Sequence, residues 1–223
     1  MAFKATSSGA TAMGDLVLRD EEIEPVMAKL AGGGLEVTAF HHHVLHETPR
    51  VYYVHIHGAG EAVALAQAVR AAVDLTHTPP PAAGTAASAA GPLGIDTARI
   101  AQVLGHSGKV NGGVYQVSVA RPDTTWQENI VIPPAMGIAT ALNFQSTGAG
   151  SAAITGDFVL RAAEVNPVLR VLRERIEVTA VHNHMLDEQP RLFFMHFWAV
   201  GDALKLAEGL RAALDKVDVG RPS

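Results

Sequence analysis

Two stretches of this chain spell nearly the same phrase. "EVTAFHHHVLHETPRVYYVHIHGAG" (36–60) aligns without a gap on "EVTAVHNHMLDEQPRLFFMHFWAVG" (177–201). The match extends on both sides. "GDLVLRDEEIEPVMAKL" (14–30) aligns with "GDFVLRAAEVNPVLRVL" (156–172), and "EAVALAQAVRAAVDL" (61–75) with "DALKLAEGLRAALDK" (202–216). Of 57 aligned pairs, 28 are identical. A duplicated supersecondary unit constrains the fold more tightly than composition does, because one solution has to serve both copies.

Within a copy the order of elements is readable. "AAITGDFVL" reads as a strand, and "AAEVNPVLRVLRE" as a helix with its Asn-Pro in the first turns, where proline is tolerated. "IEVTAVHNHML" and "RLFFMHFWAV" read as strands around a "DEQP" turn, rich in β-branched and aromatic residues. "GDALKLAEGLRAALDK" carries apolar residues at Ala203, Leu204, Ala207, Leu210 and Leu214, the spacing of an amphipathic helix. The expected fold is therefore α+β: two internal β-α-β-β-α repeats, each a ferredoxin-like, helix-backed antiparallel sheet, packed as a pseudo-dimer.

The copies differ in what precedes them. The second follows a helix over 96–105 and strands in "GKVNGGVYQVSVARP" and "GIATALNFQ", whereas the first has only "AFKATSSGATAM" before its Gly-Asp. The expected division is a first repeat over 1–75 lacking its N-terminal strands, a Pro/Ala/Gly-rich linker over 76–94, and a fuller repeat over 95–223. The first repeat should leave an open sheet edge, to be covered by a homodimer or by a further N-terminal segment.

The totals exclude several classes. A net charge of −5 gives no electrostatic reason to bind nucleic acid. With no Cys there are no disulfides, thiolate chemistry or Cys-type zinc sites. No apolar run has the length of a membrane span, and no signal peptide is visible at the start. As it stands the sequence reads as cytoplasmic; a truncated start would make it exported.

Nine of the eleven histidines lie in the two equivalent hairpins. His41, His43 and His55 recur as His182, His184 and His196, with Glu47 and Glu188 at the same turn position. On a strand, residues two apart leave the same face, so His41 and His43, and likewise His182 and His184, are expected side by side. The register of the hairpin then decides whether the third histidine joins them. Three imidazoles beside a carboxylate suit a divalent first-row metal, zinc first, with iron, copper or nickel also accommodated. Glu47 and Glu188 would serve as general base or fourth ligand. The spacing is similar to the first metal motif of cupins, but the helical periodicity argues against that all-β fold.

Other repeated polar residues carry weaker signals. Asp15 and Asp157 would cap a turn or accept from a histidine. Arg50 and Arg191, after the turn proline, would hold a ligand carboxylate or make a surface ion pair. Glu22 and Glu164 sit in a first helical turn, where a carboxylate complements the helix dipole. Lys109, Asn111 and Tyr115 are further pocket candidates.

"GKVNGGVYQVSVARP", "PPAMGIATALNFQ", "ITGDFVL", "EVNPVLRVLRE", "IEVTAVHNHMLDEQPRLFFMHFWA" and "ALKLAEGLRAAL" together resemble the LppY/LpqO family, also described as DUF1259, a domain of unknown function. The resemblance covers nearly the whole chain apart from the linker and ends. It implies a bacterial protein of a kind often carrying an export or lipoprotein signal, and it brings no established activity.

Two functions compete. One is a divalent-metal protein acting as a metal-dependent hydrolase or lyase. The other is a non-catalytic small-molecule-binding module whose histidines hydrogen-bond the ligand or a core network. No nucleophile elbow, nucleotide loop or Ser/His/Asp order accompanies the histidines to name a reaction.

Overall fold

The computed structural model describes residues 1–79 and 93–219; the middle of the expected linker, 80–92, lies outside the described residues. In chain order the elements are β1 (Ala2–Thr6), β2 (Gly9–Leu18), α1 (Asp20–Gly32), β3 (Glu36–His41), β4 (Tyr52–Gly60) and α2 (Ala62–Val73). There follow α3 (Thr97–Leu104), β5 (Gly108–Asn111), β6 (Val114–Val119), β7 (Thr125–Gln127), β8 (Ile130–Ile132) and a 3-10 turn (Pro134–Met136). Last come β9 (Thr140–Gly148), β10 (Ser151–Leu160), α4 (Ala162–Leu172), β11 (Glu177–His182), β12 (Phe193–Asp202) and α5 (Ala203–Leu214). The protein is α+β, with five α-helices among the described residues and antiparallel sheets.

The described residues form two compact units, neither continuous in sequence. The first takes in 1–79, 125–138 and 182–190, and the second 93–124, 139–181 and 191–219. The loop that follows β11, with His182 and His184, thus belongs to the same unit as β3 and β4.

In the first unit the sheet runs β1-β2-β4-β3. Strand alternation sorts its side chains. Ala12, Leu18, Val54 and Ile56 join Val26 and Leu30 of α1 and Leu65 and Ala72 of α2 in one buried apolar cluster. The register pairs Asp15 with His55 and Met13 with His57 across β2 and β4, and Ala39 with His55 and His41 with Tyr53 across β3 and β4. Facing residues share a face, so Asp15, His41, Tyr53, His55 and His57 all project from the side away from the helices. One face builds the core and the other collects the chemistry.

The helices have local reasons to start where they do. Asp20, Glu21 and Glu22 fill the first turn of α1, where carboxylates favour the dipole. Glu22 also accepts from the Arg19 N–H at 2.9 Å. Glu61 caps α2 by accepting from the Val63 and Ala64 N–H groups. Pro167, which the sequence places in the first turns of its helix, lies inside α4, and Pro25 lies inside α1. Each removes one backbone donor, and the buried faces, Val26 and Leu30 in α1 and Val168 and Leu172 in α4, hold these helices through packing.

The second unit has a six-stranded sheet, β11-β12-β10-β9-β6-β5. Its core gathers Ile100 and Leu104 of α3, Phe144, Phe158, Phe197 and Leu210. β10 pairs with β12 so that Asp157 faces His196, the counterpart of Asp15 facing His55. Gly156 is required here, because a Cβ at that position would lie 1.8 Å from the Ala141 carbonyl oxygen. Lys109, Asn111 and Tyr115 resolve into hairpin structure: the Tyr115 hydroxyl accepts from the Gly108 N–H at 2.8 Å, and Asn111 reaches Gln116.

Candidate metal centre

His41 closes β3, and the strand goes no further. The sequence reading put His43 on the same strand, but the His42 ring donates from Nδ1 to the Val51 carbonyl at 2.8 Å, taking an acceptor just ahead of β4. His43 therefore lies in the loop. β11 likewise ends at His182, so His184 is also a loop residue, its carbonyl accepting from the Thr38 hydroxyl at 2.6 Å. Both loops carry a cis peptide before proline, at Thr48–Pro49 and Gln189–Pro190.

Within the first unit these five histidines come together. One donor atom each from His41, His43 and His55 lies within 4.8 Å of the others, and so does one each from His41, His182 and His184. The His41 and His182 ring centroids are 3.4 Å apart, and those of His55 and His184 are 3.9 Å apart. His41 Nε2 and His55 Nε2 are separated by 2.8 Å. A cavity of roughly 70 Å³ adjoins them, lined by Asp15, His55, Met136, Ile138 and His184 among others.

The tautomer of two rings follows from their partners. His41 Nδ1 lies 3.0 Å from the His42 carbonyl, and His182 Nδ1 lies 3.0 Å from the Asn183 carbonyl. A carbonyl can only accept, so each Nδ1 carries the proton and each neutral ring keeps its lone pair on Nε2. Metal-ligating histidines are held in this way. In the second unit, buried His196 has the same arrangement, with Nδ1 3.2 Å from the Gly156 carbonyl.

The rings are also held neutral. Burial, with His41 and His182 nearby, depresses His55 to about 3. Burial and His41 depress His182 to about 4. Burial lowers His41 as well. Neutral imidazole is the form that binds metal. Protein atoms crowding the Asp15 carboxyl raise its pKa, although the residue keeps an exposed side.

Glu47 lies in the first hairpin loop, where it accepts from the Val51 N–H at 3.4 Å. Burial, then the charges of Glu47 and Asp15, raise the Tyr53 hydroxyl. Glu188 is fully buried in the loop carrying His184. Arg50 lies at the exposed end of its hairpin, beside Tyr52 and Asp20, and Arg191 is exposed too. Tyr53 is a residue that the sequence reading missed. Its ring stacks on His43 at 3.4 Å between centroids, and the available signal was a tyrosine where the second copy has Phe194. Glu36, His57 and Glu128 form a further group of donors within 4.8 Å. Glu128 could not be joined to it by spacing, because it arrives on the turn between β7 and β8.

A family model for a Domain of Unknown Function (DUF1259) matches residues 1–75 and 98–216. The fold and site are those of an α+β protein with a histidine-rich cluster, and the chain belongs to the DUF1259 family. No curated protein and no solved structure matches it. No helix among the described residues is long and apolar enough to cross a membrane.

Proposed function

We propose that this chain is a divalent-metal-binding protein built on a duplicated, ferredoxin-like β-α-β-β-α unit, with zinc the first expectation. One observation carries the reading: donor atoms of His41, His43 and His55, and of His41, His182 and His184, gather within 4.8 Å in the first unit. The residues fit the group, since the His41 and His182 rings are each oriented through Nδ1 by a backbone carbonyl, the tautomer that carries its lone pair on Nε2. A bound zinc would supply Lewis acidity and a more acidic water, which is the basis for reading the protein as a hydrolase or lyase. Glu47 and Glu188 are the proposed proton acceptors, with Asp15 and Arg50 as ligand-contacting groups; on the second unit their counterparts Asp157 and Arg191 are ligand-contacting groups and His196 a metal ligand of that unit. The test is elemental analysis of protein purified without a His tag or added metal, beside its His41→Ala variant. Stoichiometric metal lost in the variant supports the reading; metal-free protein that calorimetry shows to bind no zinc, iron, copper or nickel ends it.

A second reading rests on the 2.8 Å separation of His41 Nε2 and His55 Nε2, which is also a good hydrogen bond when His55 donates. The histidines would then form a polar network that binds a small molecule without catalysis. Loss of folding in His41→Ala, with no metal in the parent protein, would favour it.

A further inference from the structure

The two units treat one repeated glutamate differently. In the second unit Glu164 accepts from the Arg161 N–H at 2.7 Å and from the Asp218 N–H at 2.8 Å. In the first, its counterpart Glu22 accepts from the equivalent groups, the N–H of Arg19 at 2.9 Å and of His77 at 2.7 Å. The remaining partner is where they part. Glu164 binds the guanidinium of Arg121 at 2.7 and 3.3 Å, and that guanidinium, 7% exposed as a residue, also donates to the Val159 carbonyl at 3.1 Å. Among the described residues Glu22 meets an imidazole here, His77 Nδ1 at 2.8 Å, on a side chain that is 71% exposed.

Where Arg121 lies in the second unit, the described residues of the first leave an opening. A pocket of about 300 Å³ is lined by Val17, Arg19, Glu22, His77 and Thr78, and Val17 and Arg19 are the counterparts of Val159 and Arg161. The same stretch that brings Arg121 also brings Asp123, which Arg161 holds at 2.7 and 3.1 Å. Among the described residues Arg19 pairs with Glu21, at 3.6 Å, with both side chains about half exposed. A buried carboxylate beside an unclamped guanidinium is the complement of a segment reading Arg-x-Asp.

A second face of the first unit is open in a matching way. Phe144, paired with Ile154 two residues before Gly156, is fully buried, but Phe3, paired with Ala12 two residues before the equivalent Gly14, is 44% exposed. Ala203 and Ala207 of α5 are buried beneath neighbours including α3, whose Leu104 carbonyl accepts from Arg211 at 2.7 Å. Their counterparts on α2, Ala62 and Ala66, are exposed and line a largely apolar hollow of about 410 Å³ with Phe3, Val63, Gln67 and Arg70. In the second unit one stretch, 97–123, fills both places.

We propose that the first unit is a docking site for a polypeptide segment of this same order, an apolar helix, a hairpin and then Arg-x-Asp, with the arginine seated on Glu22 and the aspartate on Arg19. The inference does not rest on metal binding. The probe is acetyl-Ala-Arg-Pro-Asp-Thr-amide, copying residues 120–124, titrated into the isotope-labelled full chain while the Arg19, His77 and Thr78 N–H signals are followed. Saturable shifts are expected, absent with the peptide in which Arg and Asp are exchanged, and weakened at least about tenfold in Glu22→Gln. Because Glu22 also caps α1, His77→Ala provides a variant safe for folding: removing the competing ring should tighten binding severalfold. Absence of saturable shifts, equal shifts with the exchanged peptide, or weaker binding in His77→Ala overturns the proposal.

Discussion

His41 is the residue on which the candidate site turns. Its Nδ1 donates to the His42 carbonyl, which leaves the ring's lone pair on Nε2, facing His55 Nε2 at 2.8 Å, and His41 belongs to both histidine groups. Its neighbours provide a pH test in metal-free protein. The folded values for His55 and His182, about 3 and about 4, lie below the ordinary 6.5. Between pH 6.5 and those values the unfolded chain binds more protons than the folded one, so stability is complete above pH 6.5 and falls as the solution is acidified. Each ring contributes at most about 1.4 kcal/mol per pH unit in that window. Urea midpoints should hold nearly level from pH 7.5 to about 6.5 and then drop towards pH 5; a profile flat throughout would mean that these rings are not held neutral by burial. A steric prediction belongs to Gly156. A methyl there would collide with the Ala141 carbonyl oxygen, so Gly156→Ala should cost about 2 kcal/mol or more in chemical denaturation, where an ordinary strand position would lose far less.

At the scale of elements, capping is the feature most open to measurement. The Asp202 side chain accepts from the Leu204 and Lys205 N–H groups and starts α5, as Glu61 starts α2. Replacing Asp202 with Ala should lower stability by about 1 kcal/mol without moving any histidine, and calorimetric melting would record it. These helices were legible in the sequence because their 3.6-residue periodicity and acidic first residues are local signals. So were the strands of the two repeats, from their β-branched and aromatic residues, whereas the short strands β7 and β8 were not read. The end of β3 was not, because it depends on the His42 ring capturing the Val51 carbonyl, a choice between backbone and side chain that spacing does not encode. The even/odd rule for the hairpin could be stated from sequence, but its outcome, Ala39 opposite His55, depends on the loop geometry. Tyr53 escaped notice because tyrosine in a strand ordinarily reads as packing.

For the whole molecule, the duplicated phrase invites the expectation of two independent sites, one per copy. The repeat itself is plain in the sequence, but repeat boundaries describe ancestry, whereas compact units describe contact. Residues 182–190 are part of the second copy by sequence and of the first unit by packing. Five of the repeated histidines therefore sit together in that unit, in two groups that both need His41. A single Nε2 lone pair binds one ion at a time, so those two groups exclude each other as simultaneous three-histidine sites. Native mass spectrometry of zinc-loaded protein should accordingly show one equivalent that depends on His41, lost in His41→Ala. His43→Ala and His184→Ala should each weaken that equivalent without removing it, because the other group survives. Two equivalents that persist in His41→Ala would mean that each copy closes a site of its own, and the shared role of His41 would be wrong.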